Sequence, residues 1–151
     1  MALDMFMKIA GLKGESVDKT HAGEIDVLAW SWGLSNSGSA HVGGGAGAGK
    51  VNVQDLSFTK YIDKASPDLM LGACNGKHYD NALLTVRKAD EKPLEYLKVT
   101  MTEVLVTSMS TNSSSGEDRL TENVTLNFAT VKVDYIEQKK DGSADDKPSM
   151  N

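Results

Sequence analysis

Residues 122–137 read ENVTLNFATVKVDYIE, and this stretch decides the fold class. Apolar residues occupy every second position, which is the period of a β-strand with one buried face. The alternating set is Val124, Leu126 and Phe128, followed by Val131, Val133 and Tyr135. The phase changes by one residue between Phe128 and Val131, so we expect a β-bulge near Ala129-Thr130. A strand that bends there could serve two sheets.

The same alternation recurs towards the N-terminus, in runs separated by Gly, Ser, Asn and Asp clusters. The runs are Met5 to Ile9, Glu24 to Trp32, Val51 to Tyr61, Ala82 to Lys88 and Tyr96 to Ser108. This pattern is typical of an antiparallel sandwich or barrel, and it predicts a mainly β fold. Glu24 to Trp32 has apolar residues in both phases, so we expect this strand to be covered on both faces.

One short helix interrupts the strands. In Ser66-Pro67-Asp68, Ser is a good N-cap, Pro fits the first helical position, and Asp favours the positive end of the helix dipole. The helix should stop near Asn75-Gly76, where glycine can take the left-handed cap conformation. A hairpin turn at Asn75-Gly76 is the alternative.

Two segments lack apolar periodicity. Residues Ser35 to Lys50 are rich in Gly, Ser and Ala, which predicts an extended, exposed loop. From Gln138 to the last residue the chain is polar, which predicts a disordered tail over 138–151. With 151 residues in all, we expect a single β-barrel domain over residues 1–137.

Composition excludes several classes of function. The net charge of −5 and pI near 5.1 argue against a nucleic-acid-binding surface. No stretch approaches the ~20 apolar residues that insert as a membrane helix. The N-terminal residues lack the basic and apolar regions of a signal peptide, so we expect folding in the cytoplasm.

The sequence motif most suggestive of chemistry is a phosphate-binding loop, but the residues that follow it argue against phosphate binding. Gly44 to Lys50 fits the first seven positions of a Walker A loop, but Val51 stands where a Mg²⁺-binding hydroxyl is needed. A strand pattern follows where that loop requires a helix. The relaxed dinucleotide motif at Gly43 to Ala48 fails for the same reason. We therefore expect no cofactor.

Other reactive side chains do not form a catalytic pattern. Cys74 is the only cysteine, so it cannot form an intramolecular disulfide, and we interpret it as a small buried hydrophobe. The three histidines, His21, His41 and His78, lack the spacing of a metal site and are interpreted as surface or turn residues. The carboxylate pairs Glu117-Asp118 and Asp145-Asp146 lie in turn or tail contexts. We predict that the chain is not an enzyme and binds no metal.

Several short motifs occur in an order that resembles the haemolysin-coregulated protein (Hcp) family across nearly all of the chain. They are Phe6-Met7-Lys8-Ile9, Gly11-Leu12-Lys13-Gly14-Glu15-Ser16, His21, Gly23-Glu24-Ile25, Trp30-Ser31-Trp32-Gly33, Phe58-Thr59-Lys60, Asp63-Lys64-Ala65-Ser66-Pro67, Glu103-Val104-Leu105-Val106, the run from Glu122 to Phe128, and Tyr135. The resemblance implies a β-barrel-like body of two antiparallel sheets with one short flanking α-helix.

The resemblance also implies a role in type VI secretion. Family members form six-membered rings that stack into the inner tube of a contractile sheath on a baseplate, with a spike protein at the tip and effector proteins in the lumen. They leave the cell through that machine without a signal peptide. By position, the loop from Ser35 to Lys50 matches the family's extended loop, which is implicated in ring stacking. The candidate stacking residues are Ser37, Ser39, His41, Gly44, Gly47 and Lys50.

Two other hypotheses compete with a tube subunit. The chain could be a monomeric β-barrel binding module, for example an effector chaperone, and a single species of 16.2 kDa would favour that. It could also be a hydrolase that uses Cys74 or a loop serine, and an unreactive thiol would argue against that.

Overall fold

The alternating segments form strands in the computed structural model, which describes residues 3–36, 51–89, 93–113, 118–137 and 149–150. The elements in chain order are β1 (Leu3–Ile9), β2 (Ile25–Ser31), β3 (Leu34–Asn36), β4 (Val51–Val53), β5 (Leu56–Tyr61), α1 (Ser66–Asn75), β6 (His78–Lys88), β7 (Leu94–Asn112), β8 (Thr121–Asn127), β9 (Thr130–Tyr135) and β10 (Ser149–Met150). Over these described residues, the prediction of a mainly β fold with one helix is confirmed.

The strands form one barrel-like sheet and one small ribbon. The eight-stranded sheet has the order β10-β9-β7-β6-β1-β2-β5-β8, and an additional pairing of β7 with β8 closes it on itself. β3 and β4 form a separate antiparallel ribbon, and α1 packs beside β7. The predicted barrel-like body is therefore confirmed, and its second sheet is this ribbon.

The long strand β7 carries the chain from one part of the sheet to another. It pairs with β9 over Leu97–Thr102 and with β8 over Leu105–Asn112. Between these parts Glu103 has a φ of 51°, a left-handed conformation that residues with a Cβ rarely adopt. The predicted bulge near Ala129-Thr130 is instead a break, since β8 ends at Asn127 before β9 begins. The strand that pairs with β7 therefore changes from β8 to β9 at the point where β7 itself bends.

An apolar core fills the barrel. Alternate residues of β1, β2, β5, β6, β7 and β8 point inward, and Leu69 of α1 joins them. The largest fully buried apolar side chains are Met7, Ile9, Ile25, Leu56, Phe58, Leu69, Leu84, Met101 and Leu126. Because these positions keep the period of two, the inner face of most strands follows directly from the sequence.

β2 does not have the two covered faces that its sequence predicts. Ile25 and Val27 are buried, but Leu28 and Ala29 are exposed. The register against β5 shifts between Val27 and Ala29, and beyond this irregularity Trp30 packs against the core. The apolar residues occupy both alternating sets of positions because the buried set switches at this register shift. The prediction of two covered faces is therefore wrong.

The segment Val51 to Tyr61, predicted as one strand, is divided in two. Gln54 and Asp55 separate β4 from β5. β4 pairs with β3, which places Val51 opposite Asn36 at the base of the predicted 35–50 loop. The loop therefore begins with a paired strand, and residues 37–50 lie outside the described residues.

α1 occupies the predicted segment, but its N-cap is different. Ala65, not Ser66, holds the N-cap position, and it makes no side-chain cap hydrogen bond. Ser66 instead joins a buried polar network described below. At the other end Gly76 has a φ of 69° and its N–H donates to the carbonyl of Gly72. The predicted glycine cap is therefore confirmed.

Beyond Glu137 the structure describes only Ser149–Met150. These residues form β10 and pair with Asp134 and Val133 of β9. Residues 138–148 lie outside the described residues, so the disorder of this tail stays a prediction.

Candidate assembly surface

The β3–β4 ribbon carries the loop that was predicted to stack rings. The candidate residues Ser37, Ser39, His41, Gly44, Gly47 and Lys50 all lie outside the described residues. The ribbon itself exposes three apolar side chains, Leu34 (49% exposed), Val51 (54%) and Val53 (40%). A two-stranded ribbon has little stability alone, and exposed apolar residues favour contact with another surface. The ribbon is therefore a candidate assembly element.

A second candidate surface is the outer face of β2, β5 and β8, which we call the polar face. Its residues are Ala29, Ser31, Ser57, Thr59, Asn123 and Thr125. Neighbouring strands are linked across it, since the Thr59 hydroxyl donates to Asn123 Oδ1 at 2.6 Å and the Ser57 and Thr125 hydroxyls lie 3.3 Å apart. A shallow depression of about 220 Å³ lies on this face. The surface is thus small, uncharged and fixed by its own hydrogen bonds.

The two ends of the polar face differ. At one end Asp55 accepts hydrogen bonds from Thr107 and Asn127, both at 2.8 Å. At the other end a depression of about 350 Å³ is lined by Leu28, Tyr61, Asp118, Arg119 and Thr121. The guanidinium of Arg119 lies 3.8 Å from the centroid of the Tyr61 ring. Charge is therefore confined to the ends of the face.

A third candidate surface is the gap where β1 and β2 diverge. These strands are paired at two positions, Phe6 with Asp26 and Met7 with Ile25. Beyond them β1 continues to Leu3 (45% exposed) and β2 continues past Leu28 (39% exposed). Diverging strand edges offer N–H and C=O groups to a further strand. The gap is therefore a place where another strand could add to the sheet.

A buried ionic network fixes the strands of the polar face to α1. Lys60 and Glu122 are both fully buried. Lys60 Nζ donates to Glu122 Oε1 at 2.5 Å, to Asp63 Oδ1 at 2.9 Å and to Ser66 Oγ at 3.0 Å, which uses all three ammonium hydrogens. Ser66 Oγ donates in turn to Glu122 Oε1 at 2.6 Å. The network joins β5, β8 and the first residue of α1.

This network is not among the features predicted above, although the sequence carries a signal for it. Lys60 stands in phase with the inward residues Leu56 and Phe58, and Glu122 stands in phase with Val124 and Leu126. Opposite charges at inward positions of two strands indicate a buried ion pair, because an unpaired charge is rarely buried. The pairing of β5 with β8, however, is not visible in the sequence.

The β1–β2 loop, residues 10–24, lies over the outer face of the sheet and is held there by His21. The imidazole is buried and stacks on Phe6, with 4.5 Å between ring centroids. Its two nitrogens contact the carboxylates of Glu24 and Glu95. The prediction of His21 as a turn residue is confirmed, because its carbonyl accepts the N–H of Glu24 at 3.1 Å, but it is not a surface residue, since the buried imidazole joins the loop to β7.

The environment of His78 differs from that of His21. His78, at the start of β6, is exposed as predicted. His41 lies outside the described residues. His78 is therefore a natural control for experiments on His21.

A second ionic contact fixes the same loop. Arg87 of β6 donates to both carboxylate oxygens of Asp18, at 2.6 and 3.1 Å, and to Asp4 at 3.0 Å. The hydrogen bonds from Arg87 hold the pKa of Asp18 well below its usual range, and Asp18 raises the pKa of Arg87. At Glu95 burial raises the pKa, but the hydrogen bond from His21 and other contacts outweigh burial, so the pKa is lowered. The loop is thus held by groups that are ionised near neutral pH.

Asp18→Asn should make the free energy of unfolding less dependent on pH in the acid range. A carboxyl whose pKa is lowered by folding stabilises the protein above its unfolded pKa, about 3.9 for Asp, and loses that effect as pH falls towards the folded pKa. Urea unfolding of the wild type and the variant at several pH values measures this. The wild type should be more stable at pH 5–7, and the difference should shrink below about pH 4.

Comparing the wild type with Asp18→Asn also cancels the effect of Asp26 on the pH dependence of stability. Burial raises the pKa of Asp26, so this residue acts in the opposite direction, but it is present in both proteins. A difference between the two proteins that stayed constant down to about pH 2 would contradict a role for ionised Asp18.

Cys74, the candidate nucleophile, lies exposed in the last turn of α1. The prediction of a buried thiol is therefore wrong. In the described ranges, no group of three or more His, Cys, Asp or Glu side chains could hold a metal ion. Over the same ranges, no helix has the length and apolar character needed to cross a membrane.

Comparison with known proteins agrees with this architecture. A family model described as "Type VI secretion system effector, Hcp" matches residues 6–135. Protein hcp1 of Pseudomonas aeruginosa is 68% identical over 149 residues, which cover 98% of this chain and 92% of that protein.

Solved structures give the same result. A structure described as that of a type six secretion system protein has a TM-score of 0.92 at 28% identity and covers 97% of this chain and 92% of that one. Hcp1 from Salmonella typhimurium has a TM-score of 0.79 at 39% identity, with coverage of 99% and 94%. Since the family model matches most of the chain and a relative is 68% identical, the chain belongs to the Hcp family of type VI secretion.

Proposed function

We propose that the chain is the structural subunit of a type VI secretion inner tube. Six copies form a ring, rings stack within a contractile sheath on its baseplate, a spike caps the tip, and effector proteins travel in the lumen. The chain is made in the cytoplasm and is secreted by the same machine. The observation that carries this proposal is the strand edge left open where β1 and β2 diverge.

Two different edges of the sheet are available to a neighbour. One is the gap between β1 and β2, flanked by the exposed side chains of Leu3 and Leu28. The other is the outer edge of β9, where β10 covers two positions and Tyr135 is 44% exposed. A contact between unlike edges of two copies is heterologous, and such contacts close into a ring when the rotation permits. Ring closure would cover edges that otherwise favour aggregation.

The polar face is suited to line the lumen. Its small uncharged side chains form hydrogen bonds with one another, as the Thr59 hydroxyl does with Asn123. A surface without large apolar or charged anchors has few of the residues that produce tight binding. Such a lining lets varied proteins enter and leave, as an effector carrier requires.

The ribbon and its loop are suited to contact the next ring. β3 and β4 project apolar side chains, and the loop that they carry includes Ser37, Ser39, His41, Gly44, Gly47 and Lys50. A glycine-rich loop loses conformational entropy when it docks, which would keep stacking weak until other components of the machine template it.

Thr59→Trp should separate cargo carriage from assembly. Thr59 is half-buried in the centre of the polar face, so an indole there would fill the depression that effectors contact. In the producing bacterium we expect the variant to be secreted at the wild-type level while effector proteins in the culture medium fall about tenfold or more, the result of losing about 1.4 kcal/mol of binding. Leu71→Trp, at a position 60% exposed on α1, is the matched control and should retain effectors. Normal effector levels with Thr59→Trp would contradict the proposal that the polar face lines the lumen.

A further inference from the structure

Both ring nitrogens of His21 face carboxylate oxygens. Nδ1 lies 2.8 Å from Glu24 Oε2, and Nε2 contacts Oε1 of Glu95 on β7. The imidazole is 9% exposed. An ionised carboxylate can only accept hydrogen bonds, so both nitrogens must carry hydrogen to satisfy this arrangement. The docked geometry therefore requires the imidazolium form.

The other charged groups around His21 lie on β1, β6, β7 and the loop itself, and Asp26 of β2 lines the same depression as Phe6 and Asp18. Lys98 of β7 lies 3.5 Å from Glu95. Arg87 of β6 lies 5.1 Å from the centroid of the Phe6 ring, on which His21 also stacks. Within the loop, Asp18 accepts the backbone N–H of His21 at 3.2 Å.

Asp4 of β1, also in this cluster, is bound by Arg87 at 3.0 Å. Carboxylates, lysine and arginine ordinarily keep their charge between about pH 5.5 and 8.5, whereas imidazole ordinarily changes charge there. Among the groups named here, the imidazole of His21 is therefore the one side-chain type that ordinarily changes charge in that range.

The loop thus has two ionic contacts with different responses to pH. Arg87 holds Asp18 at any ordinary pH because guanidinium does not lose its proton. The contact of His21 with Glu95 depends on one proton. When it is lost, a nitrogen lone pair faces a carboxylate oxygen in a buried site, and that arrangement is repulsive.

We propose that the β1–β2 loop is a proton-dependent latch, closed while His21 is an imidazolium between Glu24 and Glu95. Loss of that proton at higher pH releases the 19–24 part of the loop, while Asp18 stays bound to Arg87. Opening uncovers Phe6, which is 4% exposed when the loop is docked. The latch belongs to the single chain and does not depend on the proposed ring.

Hydrogen exchange of the full chain at pH 5.5 and 8.5 tests the latch, once rates are corrected for intrinsic exchange. Peptides that cover residues 19–24 should lose protection about tenfold at the higher pH, because a charge-assisted hydrogen bond is lost. Peptides from the core strand β6 should not change. His21→Gln should give low protection in the loop at both pH values, and His78→Gln, at an exposed position, should behave as wild type.

Glu95→Gln is the complementary variant. Its carboxamide can donate to the bare nitrogen of a neutral imidazole, so the loop should stay docked at pH 8.5 and the pH response should vanish. This variant keeps the proposal testable even if His21→Gln fails to fold. Equal protection of the wild-type loop at both pH values, or an equal loss in Glu95→Gln, would overturn the latch.

Discussion

Lys60→Ala should lower the free energy of unfolding by about 3–5 kcal/mol. Lys60 is fully buried, and its ammonium donates to Asp63, Ser66 and Glu122. Its removal leaves the Glu122 carboxylate buried beside a second acid without a compensating positive charge, which is costly in a low-dielectric interior. Urea unfolding at a fixed protein concentration, followed by tryptophan fluorescence, measures the loss.

Two controls separate this network from ordinary ion pairs. Combining Lys60→Met with Glu122→Leu should recover most of the loss, because apolar residues of similar volume often replace a buried pair without penalty. Lys132→Ala breaks an exposed contact of 3.8 Å with Asp134 and should cost less than about 1 kcal/mol. If Lys60→Ala cost no more than Lys132→Ala, the network would not anchor α1 to the barrel.

Phe58→Ala should cost a similar amount, about 3–5 kcal/mol, for a different reason. Phe58 is 1% exposed in β5, between its register partners Trp30 of β2 and Val124 of β8. Truncation removes buried apolar surface and leaves a cavity in the barrel core. Leu71→Ala, at a position 60% exposed on α1, is the control and should change stability by less than about 0.5 kcal/mol. A loss below about 1 kcal/mol for Phe58→Ala would place that ring outside the core.

The strands could be predicted because their signal is local. In β5 and β8 the period of two assigns Phe58 and Val124 to the inner face, and both are buried. Errors occurred where pairing changes partner or register, as between Val27 and Ala29 in β2 and at the break after Asn127. Register depends on a second strand distant in the sequence, so a single run of residues cannot specify it.

The ionic anchors could not be predicted for the same reason. His21 and Glu95 are 74 residues apart, and Lys60 and Glu122 are 62 apart. The helix cap predicted for Ser66 failed because its hydroxyl has stronger partners in the buried network. Local rules place a side chain on a face, but its partner depends on the topology of the closed barrel.

The mass of the purified chain in solution, by light scattering with negative-stain microscopy of the same sample, tests the tube-subunit proposal most directly. We expect a species of six times the 16.2 kDa chain mass, seen as uniform rings with a central channel. A single 16.2 kDa species that persists at high concentration, without rings, would contradict the tube-subunit proposal and favour a monomeric binding module.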